Sequence, residues 1–108
     1  LCHIVIAEAN STSTADLGAA VNAAAALHPV AINNSYGGAE VAKNAGADNQ
    51  FYNHPGIAIT ASSGDGGFGT QFPASSPLVT AVGGTTLSRG GGTRGWTETA
   101  WAGAGSGG

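Results

Sequence analysis

"ADLGAAVNAAAALHPVAINNSYGG", residues 15–38, is the stretch that decides the fold. Its first half sets Leu17, Val21, Ala24 and Leu27 along one face at helical spacing. The "NSTSTADL" ahead of it offers Ser and Thr as N-caps, and Asp16 stands in an early turn, where the helix dipole favours negative charge. Pro29 ends the helix. "VAINNSY" follows directly as a strand, and Gly37 and Gly38 break it.

Working outward, "HIVIA" (3–7) is a continuous β-branched apolar run and predicts a strand buried on both faces. "GIAITASS" (56–63) predicts a third strand. Between the second and third, "AEVAKNAGADNQFYNH" (39–54) is helix-compatible apart from Gly46 and reads as a loop with a shorter helix before Pro55. Strand, helix, strand, helix, strand argues for right-handed crossovers and a parallel sheet flanked by helices, an α/β fold. After residue 64 the rhythm changes. "PLVTAVGGTTLS" (77–88) reads as a strand pair around Gly83 and Gly84, "RGGGTRG" as a turn and "WTETAW" as a short edge strand.

Composition narrows the function classes. The chain has 108 residues, 19 glycines, 8% charged residues and a net charge of -3. That is one domain at most, burying roughly 60 to 70% of its extended surface. With Lys43, Arg89 and Arg94 as its whole basic complement, it carries no footprint for nucleic acid or an anionic membrane. Cys2 stands alone, so an internal disulfide framework and a multi-cysteine zinc site are excluded. "LCHIVIA" is too short and wrongly flanked for a signal peptide or a membrane span. It opens in mid-pattern and "GAGSGG" closes in loop composition, so residues 1–108 read as the central piece of a larger domain.

Sheets of this kind bind and react at the carboxyl ends of their strands, where "EANSTS", "NNSYGG" and "SSGDGGFG" fall. The last holds Asp65 among glycines. Gly64, Gly66 and Gly69 fit G-x-G-x-x-G, the mark of a dinucleotide-binding oxidoreductase. However, "TQFPASSP" follows where a helix should open, no acid lies about 20 residues on, and Asp65 repels phosphate. Gly103, Gly105 and Gly108 match the same pattern with no strand ahead of them. A calcium loop fails for want of further carboxylates. A self-contained hydrolase triad lacks a G-x-S-x-G elbow, and His3, His28 and His54 read as packing or capping residues.

The run from 62 to 87, "SSGDGG…FPASSPLVTAVGGTTL", followed by "TETAW" and "GSGG", closely resembles the sedolisin family of serine-carboxyl peptidases. In that family a G-D-[SG] loop precedes F-P-A-S-S-P and V-G-G-T. "IVIAEANS…ADLGAAVNAAA" and "NNSYGG" resemble the preceding strand, helix and strand, so the likeness spans essentially the whole chain. Gly66 departs from the more usual serine. The resemblance implies a subtilisin-like parallel sheet flanked by helices and a secreted, monomeric endopeptidase that cleaves peptide or protein substrates in acid.

In that family a serine attacks the peptide carbonyl, a glutamate takes its proton and an aspartate orients the glutamate. The resemblance places the two acids ahead of "HIVIA" and the serine in a G-T-S segment downstream. Glu8 and Asp16 fall at the wrong point in this order and Ser106 lacks the motif, so no triad role passes to this chain. Asp65 matches the acid of the oxyanion hole, which implies that it works protonated, since an ionised carboxylate has no hydrogen to donate. Its flanking glycines, Gly64 included, let backbone and acid approach a substrate carbonyl. Ser35, Tyr36 and Gly37 are implied as the edge that pairs with an extended peptide. Phe72, Trp96 and Trp101 read as core or loop-anchoring aromatics. No cofactor and no metal ligand is implied within the chain; calcium in this family depends on residues further downstream, and a propeptide belongs to the full-length enzyme. The rival reading is a sedolisin-like binding module that has lost the triad.

Overall fold

The computed structural model describes residues 2–44 and 46–101. Residues 102–108, with the glycines of "GAGSGG" and Ser106, lie outside the described residues. The chain is mixed α/β: a three-stranded parallel sheet and a separate two-stranded antiparallel sheet.

Helix α1 (Thr14–Ala25) begins where the capping chemistry places it, the Ser13 hydroxyl accepting from the Asp16 N–H at 3.1 Å. The Ser11 hydroxyl in turn donates to the Asp16 carboxylate. Gly18, Val21 and Ala25 are the buried positions of the helix. Leu27 lies past its end and is exposed, so the apolar stripe is shorter than the spacing predicts. The exposed His28 closes the end at φ 52°, its N–H reaching the Ala25 carbonyl at 2.9 Å.

Strand β1 (Ala31–Asn34) turns Ile32 and Asn34 inward. Asn34 is a polar residue in the interior, and its amide donates to the Thr60 carbonyl at 3.1 Å, which offsets its desolvation. Strand β2 (Ala58–Ser62) runs parallel to β1 with Ile32 level with Ile59, and strand β3 (Thr80–Val82) runs parallel to β2 on its other side. Between β1 and β2 the chain makes a 3₁₀ turn at Ala42–Asn44 and a π-helical turn at Asp48–Tyr52. The π turn drives Phe51 and Tyr52 into a core with Val21, Ala25, Ile32, Ala47, Ile59 and Phe72. His54 joins this turn to α1, its Nε2 lying 2.9 Å from Asn22 Oδ1 and 3.1 Å from the Phe51 carbonyl.

Two expected elements come out differently. Residues 3–7 form no strand: a strand exists through its ladder, and none is made by these residues among those described. Ile4 and Ile6 are each 82% exposed, and His3 is exposed rather than buried. The pair expected around Gly83 and Gly84 is split between two sheets. The open edge of β2 takes β3 as a parallel partner, and strand β4 (Thr85–Arg89) pairs instead with strand β5 (Trp96–Ala100). The "RGGGTRG" segment is the turn of that hairpin, with Gly92 and Gly95 at positive φ.

Candidate functional site

In a parallel pair both carboxyl ends lie at the same sheet edge, so β1 and β2 deliver "SYGG" and "SGDGG" side by side. The chain then crosses both. Gly38 and Phe72 exchange two backbone hydrogen bonds of 2.9 Å, and the Gln71 N–H reaches the Ser63 carbonyl at 2.9 Å. Ser63 is held against β3, its N–H and hydroxyl meeting the Val82 carbonyl at 2.9 and 3.1 Å. Residues 71–72 therefore span the gap between the two strand ends.

The Gln71 side chain occupies that gap. A Cβ added at Gly37 would stand 2.7 Å from Gln71 Oε1, and one at Gly64 would stand 2.9 Å from Gln71 Cδ. Both distances are too short for a real Cβ, so a side chain at either position would have to displace the flexible Gln71 side chain. Gly64 also sits at φ 123°, a conformation that side-chain-bearing residues avoid. Two glycines expected near substrate thus share one neighbour that sequence reasoning did not single out.

Tyr36 points toward the interior side of the same edge. Its hydroxyl lies 3.4 Å from that of Tyr52, which packs edge-on against Phe72 with ring centroids 5.7 Å apart. Burial raises the Tyr36 phenol above its ordinary value, and the bond to Tyr52 partly offsets this. Tyr52 is raised much further, first by burial, then by its bond to Tyr36 and by the charges of Tyr36 and Asp48. A cavity of about 290 Å³ opens beside Tyr36, Gly37 and Gly38, walled by Leu17, Tyr52 and Phe72. Its lining joins a few polar groups to an apolar floor, the usual make-up of a side-chain pocket.

Asp65 stands beyond this on the loop that leaves β2. It is exposed, as is Ser35. Gly37 and Gly64 both lie against Gln71, Tyr36 and Gly37 line the cavity, and Asp65 follows Gly64 on the exposed part of its loop. The polar Gln71 immediately before "FPASSP" and the aromatic pair at 51–52 were the signals available in sequence for the parts that reasoning missed. Among the described residues no three His, Cys, Asp or Glu side chains come together as metal ligands. In comparisons with protein-family models and with curated proteins, nothing matches this chain.

Proposed function

We propose that this chain is the substrate-binding and oxyanion-stabilising part of a secreted serine-type endopeptidase of sedolisin type, with a subtilisin-like fold, acting on peptides in acid. The observation that supports this reading is the meeting of the β1 and β2 carboxyl ends, where Gly37 and Gly64 both lie against Gln71.

An extended peptide lying along residues 35–37 finds backbone groups at an exposed strand end and a pocket for a side chain next to Tyr36. Its scissile carbonyl then comes within reach of the Asp65 loop, where glycines leave the approach clear. As negative charge grows on the carbonyl oxygen, Asp65 donates a hydrogen bond to it, and this demands a protonated carboxyl group. The nucleophile and the acid pair are assigned to no residue of this chain.

The test is turnover of a peptide substrate by the full-length protein. Asp65→Ala is expected to lower kcat by about 100 to 1000-fold with the fold intact, the usual loss when one oxyanion donor is removed. Asp65→Asn is expected to keep part of that activity and to extend it toward neutral pH, because an amide donates without needing a proton. Full activity in Asp65→Ala overturns the reading.

A further inference from the structure

We propose that Gln71 is a specificity-determining residue: its side-chain amide, set between the carboxyl ends of β1 and β2, selects substrates with an uncharged hydrogen-bonding side chain at the scissile carbonyl. The inference rests on the peptidase reading above and names the class of peptide it acts on. Gln71 is fixed at this edge through the main chain. Its N–H reaches the Ser63 carbonyl at 2.9 Å, and the next residue, Phe72, exchanges two bonds of 2.9 Å with Gly38. The side chain lies against both strand ends. Gln71 Oε1 is 2.7 Å from where a Cβ on Gly37 would stand and 3.1 Å from where one on Gly64 would stand.

The amide is also uncommitted. The side-chain hydrogen bonds at this edge run from Ser63 to the Val82 carbonyl and between Tyr36 and Tyr52, and the Gln71 amide takes part in neither. Among the described residues, the side-chain polar atoms that are both buried and unpartnered belong to Asn44, Asp48 and Ser75. Gln71 is half-buried, so its unpaired amide keeps contact with solvent. A carboxamide has two hydrogens to donate and an oxygen that accepts, and all of this capacity is left for a ligand.

On the peptidase reading, a peptide lying along residues 35–37 that brings its scissile carbonyl to the Asp65 loop passes from the β1 end to the β2 end. Gln71 is the residue that lies against both ends, so the side chain beside the scissile carbonyl meets its amide. A second carboxamide gives and takes a hydrogen bond there, and a hydroxyl or a protonated carboxyl group does the same. A lysine or arginine offers donors alone and sets its charge against a neutral group. A leucine covers the amide and returns none of the hydrogen bonds that water made to it. Because Gln71 keeps contact with solvent, the discrimination is about 10-fold, far below the roughly 10,000-fold of an enclosed polar site.

The experiment compares kcat/KM of the full-length protein on three peptides that differ only in the residue at the scissile carbonyl: glutamine, leucine or lysine. Expected is a preference for glutamine by about 10-fold. Gln71→Leu is expected to invert the order in favour of leucine. Gln71→Glu, assayed at about pH 5.5 where an exposed carboxylate is ionised, is expected to raise lysine by about 10-fold relative to glutamine. Circular dichroism checks that each variant is folded, and the nearly isosteric Gln71→Glu carries the test if Gln71→Leu does not fold. An unchanged order of preference in a folded variant overturns the inference, as does an equal loss on all three peptides, which marks Gln71 as structural. Both results leave the peptidase reading standing. That reading falls with full activity in Asp65→Ala, or with no peptide turnover by the natural protein, and the second of these overturns the role of Gln71 as well.

Discussion

The segment from α1 to β2 and the hairpin β4–β5 are both regular structure, yet they are held by different forces. Around α1 the chain buries Val21, Ile32, Phe51, Tyr52 and Ile59, whereas the hairpin leaves Leu87 53% and Trp96 43% exposed. The hairpin is maintained by its ladder and by cross-strand contacts. Thr85 donates to Glu98 at 2.6 Å, Arg94 pairs with Glu98 at 3.2 Å, and the Arg89 guanidinium lies 5.5 Å from the Trp96 ring centre. Such contacts contribute tenths of a kcal/mol each, and an isolated two-stranded ribbon is marginal in water. Packing therefore decides the first region and local pairing the second.

The largest expected effect tests the packed region at Gly18. A Cβ there would overlap the Phe51 ring, and that ring is buried in the core with Val21, Ile32 and Ile59. In an exposed helix Gly→Ala stabilises by about 1 kcal/mol. Here Gly18→Ala is expected to destabilise by about 1 to 3 kcal/mol through overpacking, read from the urea midpoint. A gain in stability would show that the contact between α1 and the π turn is loose, and the contrast with the hairpin would collapse.

A second, smaller effect lies in the pH dependence of the same core. Tyr36 and Tyr52 both have phenols raised above their ordinary 10.0 by burial. The unfolded chain then ionises first, so the stability from keeping these phenols neutral is complete below about pH 10 and falls as pH rises toward the folded values. Tyr52→Phe is expected to remove most of this alkaline loss while Tyr36→Phe removes less, followed by ellipticity across the alkaline range. An unchanged alkaline transition in Tyr52→Phe would mean that the phenol is not desolvated.

The same division explains what could be read in the sequence. α1, β1 and β2 were legible because cap, proline stop and apolar run agree with one another over short distances. The pairing of β3 was not, because Gly83–Gly84 carries a local hairpin signal while the open edge of β2 is a partner remote in sequence. The HIVIA run has strand composition, but composition alone does not supply a ladder. At the site, Gly37 and Gly64 stood out as glycines at strand ends; their shared neighbour, the Gln71 side chain, is brought there by a crossing that only the fold creates.

The smallest expected effect concerns the hairpin. Both terminal nitrogens of Arg94 approach the same Glu98 oxygen at 3.2 Å, and the two side chains are 67% and 38% exposed. Water and salt screen such a pair, and ordering the arginine opposes its formation. Glu98 also keeps its bond from Thr85 when the arginine is removed. Arg94→Ala is thus expected to change stability by less than about 0.5 kcal/mol, with the difference vanishing at high salt. Backbone hydrogen exchange locates the effect: faster exchange should be confined to the β4–β5 ladder and leave β1 and β2 untouched. Accelerated exchange in the parallel sheet would instead show that the hairpin braces the core, which would make local pairing and packing one cooperative unit rather than two.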